Sequence, residues 1–201
     1  MRPYRLLQGP NSQFANDWSR DGRFLIYNEI APGTQRDLWT LPFTPQGKVP
    51  ANAQPAPYLR TAFNEFNGRF SPEPSPRWVA YQSDETGRYE VYIRGFPEAR
   101  DKVPISTAGG QYPEWGAGGR ELFYVAADNK LMAVDLTITA DRVRASVPRA
   151  LFTLPIIDNG WSPYETIDGQ RFLVRAVPQQ APPMTVIVNW PALLKKGAPG
   201  Q

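Results

Sequence analysis

Histidine and cysteine are both absent from the 201 residues of the chain. Without histidine the chain lacks Ser-His-Asp and Cys-His machinery, His-ligated zinc and the commonest general base at neutral pH. Without cysteine it lacks disulfides, thiolate nucleophiles and Cys-ligated metals. Any chemistry would therefore rest on carboxylates, Ser, Tyr, Lys and Arg, and the sequence predicts no metal site and no cofactor.

Long helices and long apolar runs are also disfavoured. The chain has 22 prolines, about twice the usual share of about 5%, and proline is excluded from helix interiors. No window approaches the roughly 18 apolar residues of a membrane span, and residues 1–10 lack the apolar core of a signal peptide. The sequence predicts a soluble chain without a signal peptide. The compartment stays open, and it is periplasmic or otherwise extracytoplasmic if a parent protein is anchored in a membrane.

The sequence also lacks any long cluster of residues with the same charge. The net charge is +3, but the basic residues are scattered singly and the one pair near an end, Lys195-Lys196, is too short for a nucleic-acid footprint. We therefore expect no nucleic-acid partner. Aromatic residues, at 12%, are too frequent for a disordered chain.

A turn motif recurs along the chain. Each copy has an aromatic or apolar residue, a turn containing Asp-Gly, Gly-Gly or prolines, a basic residue and a short apolar run. The basic residue falls at Arg23, Arg77, Arg120 and Arg171, and spacings of roughly 40 to 55 residues are typical of repeat architectures. The second copy has two additional residues in its turn.

Each unit is interpreted as four strands. Asp-Gly and Gly-Gly supply the positive φ of a tight hairpin. The apolar run that follows does not alternate with polar residues, which favours a strand covered on both faces. A third strand and a short outer strand containing proline complete the unit. We predict an all-β fold, a partial β-propeller of four-stranded antiparallel blades with about four blades present.

The whole chain, 1–201, is predicted to be one propeller region. Its blade units are expected at 9–62, 63–108, 109–155 and 156–192, with 1–8 as the outer strand of a preceding or closing blade and 193–201 as a flexible tail. The inner strands are predicted to end near Trp18, Phe70, Trp115 and Ile167. The three aromatic residues among them should pack between neighbouring blades.

The turn motif and the tract Gly-Gly-Gln-Tyr-Pro-Glu-Trp at 109–115 resemble the WD40-like repeat of TolB-type propellers. Segments 79–92 and 183–190 resemble the C-terminal propeller of large bacterial proteins that begin with a serine/threonine kinase or winged-helix DNA-binding domain. This resemblance implies the C-terminal sensory or protein-binding part of a longer bacterial protein. Its kinase motifs have no counterpart in the chain.

Two functions remain open at this stage. The first is a non-catalytic module, not an enzyme, that binds a protein or peptide partner or the remaining blades of a longer propeller. The alternative is a glycosidase-like hydrolase, which needs only two carboxyl groups about 5 to 10 Å apart. Asp21 and Asp168 are interpreted as turn residues, and Asp84 and Glu85 as solvated loop residues.

The binding residues are predicted at one end of the blades. Loops between the second and third strands, and loops from one blade to the next, emerge on the same face of a propeller. Five polar residues of these loops are predicted to form a shallow rim for a peptide or partner domain: Asn64, Glu65, Asp84, Arg88 and Gln111. Glu65 and Arg88 are expected at the surface, where arginine can bind a carboxylate through two hydrogen bonds.

Overall fold

The computed structural model describes residues 6–44, 46–50, 52–139, 142–155, 162–166 and 168–176. Predictions that concern residues 1–5, Ile167, the third strand of the last blade and the tail 193–201 lie outside the described residues.

Antiparallel sheets follow one another along the chain as the blades of a partial β-propeller. Blade 1 contains β1 (Ser12–Trp18), β2 (Phe24–Ala31), β3 (Gln35–Pro42) and β4 (Ala56–Leu59). Blade 2 contains β5 (Glu65–Phe70), β6 (Trp78–Ser83), β7 (Glu90–Gly95) and β8 (Val103–Pro104). Blade 3 contains β9 (Gly110–Trp115), β10 (Glu121–Ala126), β11 (Lys130–Ile138), β12 (Val143–Ala145) and β13 (Arg149–Thr153). Two strands of blade 4 are described, β14 (Tyr164–Thr166) and β15 (Phe172–Val174).

The all-β prediction is confirmed, and the described residues contain no α-helix, only a 3₁₀ turn at Ala117–Gly119. The inner strands of blades 1 to 3 end at Trp18, Phe70 and Trp115, as the turn motif predicts. Every residue of β6 is buried, and so are the middle residues of β2 and β10. Continuous apolar runs therefore mark doubly covered strands in blades 1 to 3. The same prediction is wrong for β15 of blade 4, which has no buried residue and whose Leu173 is 77% exposed.

The turn interpretation of two aspartates is also confirmed. Asp21 Oδ1 accepts the backbone N–H of Arg23 at 3.0 Å. Asp168 Oδ1 accepts the N–H groups of Gln170 and Arg171, each at 2.9 Å. Both carboxylates close the hairpin between the first and second strands of their blade, as expected of turn residues.

Neighbouring blades pack through the inner strand of the later blade. Strand β5 lies against β1, β2 and β3, and β9 lies against β5, β6 and β7. Phe70 is buried with Ile26 and Leu38 between blades 1 and 2. Trp115 is buried with Trp78 and other residues between blades 2 and 3. Their apolar side chains are the main source of stability between blades.

The prediction that Trp18 wedges between blades is wrong. Its side chain is 43% exposed, because no described strand covers the outer face of β1, and it stacks on Phe43 at 4.4 Å between ring centroids. The rest of this face is covered by the chain itself, since Leu7 and Val49 pack on a buried cluster that includes Phe43.

Blade 3 has the four predicted strands and one more that was not predicted. Strand β12 pairs with the far half of β11, from Leu136 to Ile138, and forms an additional hairpin. Val143–Ala145 is only three residues long and contains an arginine, so its sequence has no strand pattern to detect. The outer strand β13 pairs with the near half of β11, as expected.

Candidate functional site

Each of the first three inner strands contains a β-bulge. The register shifts between Ala15 and Asp17 in β1 and between Phe66 and Arg69 in β5. The corresponding shift in β9 includes Tyr112, which has a positive φ of 56°. A bulge bends the strand and redirects the side chains beside it. The bulges therefore decide which side chains enter the centre of the propeller.

A charged residue follows each bulge and precedes the terminal aromatic residue: Asp17 in β1, Arg69 in β5 and Glu114 in β9. Arg69 Nη2 lies 2.6 Å from Glu114 Oε1 and 3.9 Å from Glu165 of blade 4. Its Nη1 donates to the carbonyl oxygen of Asn16 at 2.7 Å. One guanidinium thus joins four blades and faces three carboxyl groups.

Burial in this cluster perturbs the titration of Glu114. Burial raises the pKa of Glu114 to about 8, and Glu165 and Asp17 add to the increase, while Arg69 opposes it. Burial outweighs the contact with Arg69 because that single cation is shared among three acids. Glu114 therefore keeps its proton through neutral pH.

Asp17 has a structural role between blades. Its Oδ2 accepts the backbone N–H of Phe70 in blade 2, and its Oδ1 accepts that of Trp18, both at 2.8 Å. Burial raises the pKa of Asp17, and these two hydrogen bonds and Arg69 oppose the increase. Both oxygens are engaged by backbone donors, so Asp17 ties β1 to β5.

The central cavity lies beside this cluster and has a volume of about 460 Å³. Its lining combines aromatic, amide and guanidinium groups: Phe14, Asn16, Asn28, Arg36, Phe66 and Asn67. The guanidinium of Arg36 lies 4.6 Å from the ring centroid of Phe66. It makes no hydrogen bond or ion pair with any described residue. Arg36 is therefore a cation held in place by stacking and available to a ligand.

A smaller cleft, of about 280 Å³, lies at the end of β1 and β9. Asp17, Glu114, Trp18 and Trp115 are among the residues that line it. Two carboxyl groups and two indoles thus share this cleft, and a pair of carboxyl groups is the residue set that a glycosidase-like hydrolase uses.

Two residues of the predicted rim are joined directly. Asp84 Oδ1 accepts the backbone N–H of Asn64 at 2.9 Å, and its Oδ2 accepts the side-chain amide at 2.8 Å. The same amide donates to Gln35 of blade 1 at 2.7 Å. Gln35, at the start of β3 in blade 1, is not among the five predicted residues.

Glu65 is not a surface residue, which corrects the expectation for this member of the rim. It is 2% exposed and its carboxyl group accepts the hydroxyl of Thr61. Burial raises the pKa of Glu65, with Asp37 and Asp84 adding to the increase. Its position at the start of β5, under the loop from blade 1, buries the side chain.

The other two predicted residues make their described hydrogen bonds to residues outside this group. Arg88 is exposed as expected, and its Nε donates to Glu90 at 2.8 Å and its Nη2 to the carbonyl of Thr107 at 2.7 Å. Gln111 lies on inner strand β9, where its Oε1 is 3.5 Å from Gln82 Nε2. Hydrogen bonds therefore join Asn64 to Asp84, with Glu65 next to Asn64 in the chain, and the rim of five residues stays a prediction.

The central cavity has a sequence signal that the analysis did not use. Asn16 and Asn67 stand within three residues of the aromatic end of their inner strands, at the bulges. Asparagine is uncommon in strands, so its recurrence at this place marks the lining of the centre.

Two further site classes were considered in the described part of the chain. No group of three or more His, Cys, Asp or Glu residues there is arranged to hold a metal ion. No helix in the same ranges is long and apolar enough to span a membrane.

The fold has a counterpart among solved structures. The chain is similar to a protein described as TolB from Agrobacterium tumefaciens, with 15% identity and a TM-score of 0.51. The similarity covers 68% of this chain and 50% of that protein, so the chain spans about half of its length. This likeness supports the TolB-type propeller fold. No protein-family profile and no curated protein matches the sequence.

Proposed function

We propose that the chain is a non-catalytic interaction module that binds a peptide or a segment of a partner protein in the central cavity. The observation that carries this proposal is the unpaired guanidinium of Arg36 at a cavity lined by asparagine amides and phenylalanine rings. Amides can hydrogen-bond a peptide backbone, and exposed Phe14 offers an apolar contact.

The loops above the cavity extend this surface. Asn64 and Asp84 fix the loop conformations beside Gln35, and Arg88 and Gln111 are further polar groups near the same end of the blades. Glu65 supports these loops from below and does not contact the partner. A partner lying across this end would contact two blades at once.

The biological setting is part of the proposal. The resemblance of segments 79–92 and 183–190 to kinase-linked and winged-helix-linked propellers favours the C-terminal part of a larger bacterial protein. In such a protein the module would sense or recruit a protein partner, with a periplasmic or other extracytoplasmic location if the parent is anchored in a membrane.

The test is a selection from a random peptide library displayed on phage against the full chain. We expect enriched peptides whose affinity, measured by calorimetry, falls about tenfold with Arg36→Gln, because the lost guanidinium contact is charge-assisted. Arg23→Gln is the matched control, since Arg23 is also stacked on a phenylalanine but lies outside the cavity. No enrichment, or equal weakening by both variants, would contradict the proposal.

The hydrolase remains the second candidate, because Glu114 keeps its proton and shares a cleft with Asp17 and two tryptophans. A protonated carboxyl group is the general acid of such enzymes. The engagement of both Asp17 oxygens by backbone N–H groups weighs against it. A panel of methylumbelliferyl glycosides decides the matter. Turnover that is lost with Glu114→Gln and kept with Glu73→Gln would support the hydrolase, and no turnover supports the binding module.

A further inference from the structure

Two departures from the blade repeat meet at one groove. The turn between β5 and β6, residues 71–77, is proline-rich and two residues longer than its counterpart in blade 1. The hairpin of β11 and β12 extends blade 3 at the same end. In a repeat protein, irregular segments are where binding surfaces are most often built. The groove where the two segments meet is therefore a candidate binding site distinct from the central cavity.

The groove between these segments has a volume of about 460 Å³. Its floor is apolar, since Leu136 is buried and Ile138 is half-buried. Two exposed arginines line it, Arg77 from the long turn of blade 2 and Arg120 from the turn of blade 3. These arginines occupy equivalent positions in the repeat, so adjacent blades supply one cation each.

The groove contains an unpaired strand edge. Strand β10 pairs with β11 only as far as Glu121 opposite Asp135. The carbonyl oxygen of Asp135 accepts a hydrogen bond from the backbone N–H of Ser146, on the side of β11 that faces β12. The backbone N–H of Leu136 donates to the carbonyl oxygen of Arg120, on the opposite side of β11. Successive residues of a strand direct their backbone N–H and C=O groups to opposite sides. The N–H and C=O groups of Ile138 therefore point away from β12, like the N–H of Leu136. No described strand pairs with that side beyond Asp135, and after the hydrogen bond from Leu136 to Arg120 the edge is free at Ile138.

Two arginines and one carboxylate, Glu73, line the groove, and this net positive charge favours an acidic occupant. Arg120 makes no hydrogen bond or ion pair with any described residue. Arg77 Nε is 3.5 Å from Glu73 Oε1, a distance that leaves the guanidinium only weakly paired. Both guanidinium groups can therefore bind carboxylates of a ligand through paired hydrogen bonds.

We propose that this groove binds an extended acidic segment of a partner protein, which adds as a strand to β11 at its free edge, where the backbone of Ile138 is unpaired. The backbone of the segment pairs with Ile138, its apolar side chains contact Leu136 and Ile138, and its carboxylates contact Arg77 and Arg120. The site lies at the opposite end of the blades from Asn64 and Asp84. It does not depend on the function of the central cavity.

The probe is a short fluorescein-labelled peptide of alternating valine and glutamate, titrated against the full chain by fluorescence anisotropy. We expect binding that weakens about tenfold with the double variant Arg77→Gln/Arg120→Gln, because each lost guanidinium removes charge-assisted contacts. Arg23→Gln is the matched control, since it removes the equivalent arginine of blade 1 outside the groove. It should leave the affinity unchanged.

Two altered peptides test the geometry. Replacing glutamate by lysine should abolish binding, and replacing the central valine by proline should weaken it strongly, because proline cannot donate to a strand edge. The proposal is overturned if Arg23→Gln weakens binding as much as the double variant, or if the lysine or proline peptide binds equally well. It is also overturned if oligothymidylate binds more tightly than the peptide with the same arginine dependence, which would indicate nucleic acid.

Discussion

The indole N–H of Trp115 donates a hydrogen bond to the main-chain carbonyl of Arg69 at 3.0 Å, which ties the inner strand of blade 3 to that of blade 2. Trp115 is 8% exposed between these blades, whereas the equivalent Trp18 of blade 1 is 43% exposed. The same position of the repeat therefore contributes differently to stability, depending on whether another blade covers it.

Alanine substitutions should reveal this difference. Trp115→Ala should lower the free energy of unfolding by about 3 to 5 kcal/mol, because it leaves a cavity between blades and removes the hydrogen bond to Arg69. Trp18→Ala should lower it by about 1 kcal/mol, since an exposed side chain loses little buried area. Urea unfolding followed by tryptophan fluorescence and circular dichroism measures both. Equal losses would contradict the blade assignment.

Stability should also depend on the protonation of Glu114. Its pKa of about 8 in the folded chain exceeds the ordinary value of 4.5, so the folded state binds more protons than the unfolded state between these values. The free energy of unfolding should therefore fall as pH rises from about 5 to 8, by on the order of a few kcal/mol. The raised pKa of Asp17 acts in the same direction at lower pH.

The variant Glu114→Gln separates the contribution of Glu114 to the pH dependence of stability from the contributions of the other acids. Glutamine cannot ionise and can still contact Arg69, so the loss of stability between pH 5 and 8 should be much smaller in the variant. Glu73→Gln, an exchange in an exposed turn, should preserve the wild-type dependence. If Glu114→Gln and wild type lose stability in parallel, the buried acid is not the cause.

The fold could be predicted from the sequence because the repeat carries local signals. Asp21 and Gly22 specify a hairpin, and the unbroken apolar run of β6 specifies a doubly covered strand. Strand β12 could not be predicted in this way, because its pairing with β11 is determined by tertiary structure. The exposure of Trp18 depends on which strands neighbour β1, and that is not a local property either.

The candidate site was less predictable, because strand bulges and loop burial determine it. Asn64 and Asp84 were selected correctly as neighbours, but burial of Glu65 depends on how the loop from blade 1 lies over β5. Arg36 was not selected, since nothing in the sequence around it shows that its guanidinium stacks on a phenylalanine of the next blade.

The burial of Glu65 leads to a stability prediction that differs from the one a surface position would give. Glu65→Ala should cost about 1 to 3 kcal/mol, because it opens a cavity and leaves the Thr61 hydroxyl without its acceptor. Arg88→Ala should cost about 1 kcal/mol or less, because Glu90 keeps its hydrogen bonds to Ser106 and Gly109. Thermal unfolding of the two variants side by side makes the comparison, and a larger loss for Arg88→Ala would refute it.

The location of the bound partner is the most direct test of the proposed function. Phe14 and Phe152 are both 42% exposed, but Phe14 lines the central cavity whereas Phe152 lies on the outer strand of blade 3. Each is replaced in turn by the photoreactive residue p-benzoylphenylalanine, and a peptide selected on the wild-type chain is irradiated with each variant. We predict crosslinking at position 14 and none at position 152. Crosslinking at position 152 with none at position 14 would contradict binding in the central cavity.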